Sequence, residues 1–175
     1  MAFIYSESLG WHQGEKLMHT LLHTPEQDNP SSPGLTPYGI RILVISPLLA
    51  LGTLDHVGQP WTTLLGGEPG FTRPVGRSII GVKTLVSQKY DPVLELLVGD
   101  KKDGEVVGHG DGGRLVSALP IDLMTRSRLK ISGKIVASAL GEVGPDAAQE
   151  EDGVGEVQLV IKVEHSLGKG MKLGV

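Results

Sequence analysis

Residues 46–90, SPLLALGTLDHVGQPWTTLLGGEPGFTRPVGRSIIGVKTLVSQKY, constrain the fold more than any other stretch of this chain. Residues 48–54 and 61–65 read as strands. The loop between them, Asp55-His56-Val57-Gly58-Gln59, has hairpin length and places Gly58 where positive φ is needed. The Gly-Gly-Glu-Pro-Gly-Phe run at 66–71 must turn sharply. Residues 78–85, SIIGVKTL, form a third strand, followed by Thr84, Ser87 and Lys89 just ahead of a helix that opens at Asp91-Pro92 and runs to Val98. Hydroxyls and a cation beside a helix start are groups that suit a phosphate.

The rest of the chain extends the β pattern. Residues 114–122 and 129–139 read as strands joined by a turn near 124–127. Residues 154–163 alternate, with Val157, Leu159, Ile161 and Val163 on one face. Residues 10–24 carry helical spacing, with Trp11, Leu17, Met18, Leu21 and Leu22 as the apolar face. Residues 25–37 hold four prolines and read as a surface loop; Thr36 then caps a short helix starting at Pro37. Residues 100–113 and 141–153 are Gly-bearing polar loops. Few helices, about six strands and short connections predict a mainly β domain, a small antiparallel barrel with flanking helices. Barrel closure also removes exposed strand edges.

Composition excludes several functions. Cysteine is absent, so disulfides, zinc–thiolate sites, iron–sulfur ligation and a Cys nucleophile are ruled out. The net charge of −4 argues against nucleic acid or an anionic membrane as the main partner. No apolar run reaches transmembrane length and the N-terminus lacks a signal-peptide pattern, so a cytoplasmic protein is expected. With aromatics at 4%, the core must rest on Leu, Val and Ile.

Taken together, G-W-H-x-G-E at 10–15, SPLLALGTLD, G-Q-P-W-T-T, G-G-E-P-G-F, T-x-x-S-x-K at 84–89 and TRSRLKISGKI at 125–135 resemble the pyridoxamine 5′-phosphate oxidase-like FMN-binding split barrels. The closest likeness is to a fungal and bacterial subgroup with the GGEPGF loop. The resemblance covers residues 10–165. It implies a six-stranded antiparallel split barrel, with residues 1–45 as a helical segment packing on the barrel, 46–165 as its core and 166–175 as a divergent tail. It implies a homodimer with FMN in a groove at the interface and a small organic molecule as substrate. By the resemblance the phosphate falls to Lys83, Thr84, Ser87 and Lys89, and the isoalloxazine edge to Trp61, Thr62 and Thr63. His12, Phe71, Arg126 and Arg128 stand as candidate substrate contacts.

Two departures keep a second function open. Leu65 stands where many relatives carry Arg before the Gly-Gly pair, and the chain reads KGMKLGV where relatives continue differently. The alternative is a flavin-independent split barrel that uses the groove for small-molecule binding or isomerase-type chemistry. Bland readings stand beside the sharp ones. Ser and Thr are common at strand ends and helix caps. Trp61 divides evenly between a flavin stack and a core aromatic. His12, Glu15, His19 and His23 more readily make a polar helix face than a metal site, and Arg126, Arg128 and Lys130 a solvated strand end.

Overall fold

The computed structural model describes residues 10–87, 91–99, 104–110, 112–142 and 154–168. Six long strands carry the fold: β2 (Leu48–Leu54), β3 (Pro60–Gly66), β5 (Ile79–Ser87), β7 (Arg114–Asp122), β9 (Lys130–Glu142) and β10 (Val154–Leu167). Four short ones, β1 (Ser32–Pro33), β4 (Thr72–Pro74), β6 (Val107–Gly108) and β8 (Ser127–Arg128), extend their edges. All pairings are antiparallel, in the order β3-β2-β7-β9-β10-β5-β4. The molecule is the expected mainly β split barrel. The six predicted strands are its long ones, and the short ones fall below the length at which alternation can be read.

The sheet curls because its two longest strands are bulged. The β9–β10 register shifts between Val160 and Ile161 and again between Val163 and His165. Each bulge adds a residue on one side and sharpens the local twist. Curling brings β3 and β5, far apart in strand order, to face each other. The seam is tied by the Thr84 hydroxyl donating to the Gly66 carbonyl, while Lys83 N–H donates to the Phe71 carbonyl at 2.9 Å and so continues the β4–β5 ladder toward it.

Alternation drives burial. On β10, Val157, Leu159, Ile161 and Val163 are all buried, as the sequence pattern requires. They meet Leu49 and Leu51 of β2, Ile80 and Val82 of β5 and Ile131 and Ile135 of β9 in one aliphatic core. Two helices extend it. Helix α2 (Pro37–Ile45) starts at Thr36, whose hydroxyl accepts from Gly39 N–H at 3.0 Å, and buries Ile42 and Leu43. Helix α3 (Pro92–Val98) is capped by Asp91 and buries Val93, Leu94, Leu97 and Val98. The end of α2 shows how sequence sets a tertiary contact. The Leu43 carbonyl would normally accept from residue 47, but Pro47 has no N–H. The Thr72 hydroxyl donates to it instead, at 2.6 Å, with Leu43 and Thr72 both fully buried.

Helix α1 (Gln13–Leu21) is the exception. It buries none of its residues, so packing of the N-terminal segment on the sheet is carried by α2, by β1 paired with β10, and by buried Leu35. Its capping box uses the His12 imidazole, which accepts from Gly14 N–H at 3.2 Å, while Glu15 accepts from His12 N–H at 2.8 Å. Trp11 lies edge-on to His19 with ring centroids 4.6 Å apart. Leu17, Met18, Leu21 and Leu22 are left exposed. No helix among the described residues is long and apolar enough to cross a membrane.

His109 anchors the Gly-rich connection between α3 and β7. Its N–H donates to the Val136 carbonyl at 3.1 Å, and Nε2 lies 2.9 Å from Ser138 Oγ. The Ser138 hydroxyl itself donates to the Leu97 carbonyl at 2.6 Å. Desolvation, then the nearby Arg114 charge, holds the His109 pKa below its ordinary value of 6.5. The folded state therefore binds fewer protons than the unfolded chain between that lowered pKa and 6.5. Stability is full above 6.5 and falls with acidification across this window. His109→Gln is expected to flatten the pH dependence of the urea midpoint between about pH 7.5 and about pH 5. An unchanged slope would remove His109 as its source.

Candidate functional site

Two neighbouring depressions open along the β3–β5 seam, with Gly66 and Leu85 lining both. The larger, about 910 Å³, lies on the outer face of β4, β5 and β10 and is walled by the 66–71 loop. The smaller, about 490 Å³, lies between β3, the end of β5 and the start of α3.

The loop is built by close packing. A Cβ on Gly67 would come within 2.7 Å of Phe71 Cβ, so glycine is what lets the loop fold onto the ring. Phe71 N–H donates to the Glu68 carbonyl at 2.9 Å, and Gly70 takes positive φ. Phe71 borders the larger depression but belongs mainly to the core, 9% exposed. It braces the wall from behind.

Strand parity divides the expected phosphate set. Lys83, Leu85 and Ser87 point outward; Thr84 points inward and spends its hydroxyl on the Gly66 carbonyl. Lys83 lines the larger depression, where Nζ lies 3.0 Å from Glu156 Oε1. Glu156 also accepts from Gln158 Nε2 at 2.9 Å, and these two contacts, that with Lys83 first, lower its pKa. Ser87 lines the smaller depression with Thr62 and Thr63. Four residues along a strand separate Lys83 from Ser87 by about 13 Å, so the two cannot hold one phosphate in a single chain. Lys89 lies outside the described residues.

Asp91, absent from the expected set, shapes the smaller depression. One carboxylate oxygen accepts from Val93 and Leu94 N–H, at 2.9 and 3.2 Å, and the other accepts from the Thr63 hydroxyl. The sequence signal for it was only the Asp-Pro helix start.

The remaining expected residues stand elsewhere. Trp61 lines neither depression. It is 42% exposed and its indole N–H donates to Asp55 at 3.2 Å within its own hairpin, so it is not a core aromatic; with Gly52, Thr62 and Leu115 it borders a separate depression of about 250 Å³. His12 caps α1. Arg126 takes positive φ in the β7–β8 turn, and Arg128 lies on β8; neither lines the two depressions. The turn that carries them is fixed by Asp122, which accepts from Met124 N–H at 3.0 Å. Among the described residues no three His, Asp or Glu side chains converge on a metal position.

No family model matches the chain, and no curated protein matches it. Solved structures with a similar strand arrangement include a candidate pyridoxamine 5′-phosphate oxidase from Lactobacillus delbrueckii, 14% identical over 77% of this chain and 94% of that one, TM-score 0.44. An F420 reductase is 14% identical over 75% and 98%, TM-score 0.44. An FAD- and heme-binding protein from Mycobacterium smegmatis is 13% identical over 83% and 77%, TM-score 0.38. Likeness at this level carries no inference about what this chain binds or does.

Proposed function

We propose that this chain is an FMN-dependent oxidoreductase acting on a small organic substrate as a homodimer. The observation that supports it is the adjacent pair of depressions on the β3–β5 seam, with hydroxyls at one end and a cation at the other. Glu156 in the larger depression is offset by Lys83 at 3.0 Å, whereas Asp91 has no cationic partner among the described residues, and this difference sets the polarity. A carboxylate repels a phosphate but accepts from the N–H of a heterocycle edge. Thr62, Thr63 and Ser87 would therefore hold the polar edge of the flavin ring, and Lys83 would face its phosphate. Bound FMN would supply hydride and one-electron chemistry. The chain's own part is positional: Asp91 fixes the Thr63 hydroxyl, and Leu85 separates the two polar ends with an apolar floor.

Exposure along the same groove supports the homodimer. Leu64 is 61% exposed and Leu85 51%, with Val160 also exposed on the outer face. A second copy covering this face would remove apolar surface from water and enclose the cofactor.

The test is titration of the purified protein with FMN, followed by flavin fluorescence and the visible spectrum. Saturable binding, with bleaching of the flavin bands by NAD(P)H or by substrate, is expected. Absence of any flavin binding overturns the proposal. A second reading, redox-neutral small-molecule chemistry in the same groove, is favoured by the inward turn of Thr84 and the pairing of Lys83 with Glu156. It expects a non-flavin ligand in the mass spectrum of the released pocket contents.

A further inference from the structure

Gly81 is a glycine without a local reason. Its φ is not positive, and an added Cβ would meet nothing nearer than the Arg73 carbonyl oxygen and Val75 Cγ2, both at 3.9 Å. Neither backbone conformation nor crowding calls for it, yet glycine inside a strand weakens the strand. What its missing side chain leaves is an open floor in the larger depression. In register, Gly81 is flanked by Arg73 on β4 and Val160 on β10, and Lys83 follows two residues along on the same face.

The two cations differ in how they are engaged. Arg73 Nε donates to the Gly70 carbonyl at 3.0 Å, which ties the guanidinium to the loop. Among the described residues Arg73 has no acidic partner, although Glu68 and Glu156 line the same depression. Lys83 is paired with Glu156, but its side chain is 65% exposed, and such pairs exchange readily. Val75, Leu85 and Val160 supply apolar flanks.

We propose that Arg73 and Lys83, astride Gly81, receive an oxyanion carried by a flat apolar ligand. The guanidinium offers a planar pair of donors that matches a carboxylate or phosphate, and the vacant Gly81 position lets the apolar body lie against the sheet. The oxyanion has two sources: the cofactor's phosphate, which rests on the proposed flavin reading, or a substrate carboxylate, which does not.

The test uses benzoate and inorganic phosphate as probes, with amide shifts of the ¹⁵N-labelled protein as readout, alongside titrations with FMN and riboflavin. Benzoate is expected to move the Gly81, Lys83 and Val160 amides, and neutral benzyl alcohol to bind about tenfold more weakly. Arg73→Gln and Gly81→Val should each weaken benzoate about tenfold, with thermal midpoints close to wild type. Arg73→Gln changes only an exposed residue, so it decides the matter even if Gly81→Val folds poorly. FMN binding tighter than riboflavin, with the advantage lost in Arg73→Gln, assigns the anion to the cofactor. Equal binding of FMN and riboflavin, with benzoate binding lost in Arg73→Gln, assigns it to the substrate. Benzoate binding that depends on Arg73 in a protein that takes no flavin sinks the flavin reading and leaves the anion site standing. Anion binding that is absent, or indifferent to both substitutions, overturns the site.

Discussion

Gly133→Ala is expected to destabilise the fold by about 3 kcal/mol, a large share of a typical domain's stability. Gly133 sits in β9 between Val163 of β10 and Val116 of β7. A Cβ there would lie 2.2 Å from the Lys162 carbonyl oxygen and 3.1 Å from Val163 Cα. These are backbone atoms in hydrogen-bonded strands, so no rotamer change relieves the contact. The strands must separate, at the point where the β10 register shifts between Val163 and His165. That bulge helps to curl the sheet, so the damage reaches the seam that frames the groove. Gly108→Ala is the control: nothing lies within 4 Å of its Cβ and its φ is not positive, so a change within about 0.5 kcal/mol is expected. Urea midpoints decide the matter. A Gly133→Ala midpoint within error of wild type would show that the β9–β10 approach is not tight in solution.

The sequence carried the long strands because each is a short run of strand-forming residues bounded by turn signals, and one of them also alternates. β10 reads in or out at every residue from Val154 to Val163, and the buried set matches. β9 runs beyond Ala139 to Glu142, and Gly141 hid that continuation. The two-residue strands have no period to read. Bulges could not be read either, since they arise from how two distant segments pair and not from either one alone. The site divides in the same way. Parity places adjacent strand residues on opposite faces, so Lys83 and Thr84, brought together by the family resemblance, are separable from the strand pattern alone. Gly81 gave a signal, a glycine interrupting an apolar strand. Arg73 gave none, because a three-residue strand beside Pro74 reads as loop.

Leu85→Asp is expected to lower FMN affinity about 100-fold on the proposed flavin reading. Leu85 lines both depressions and lies between outward-facing Lys83 and Ser87. A carboxylate there removes the apolar floor and places negative charge on the path to the phosphate. It also stands in register with Glu156, whose lowered pKa keeps it ionised. The new acid therefore competes for Lys83 as well. The fold should tolerate the change, because Leu85 is half exposed and like charges across a strand pair cost about 0.2–1 kcal/mol. Leu85→Ser separates the two effects. It loses the apolar contact without adding charge and should weaken FMN by no more than about tenfold. Riboflavin, lacking the phosphate, should show a smaller loss with Leu85→Asp than FMN does. FMN bound by Leu85→Asp within about twofold of wild type would place the flavin away from this seam.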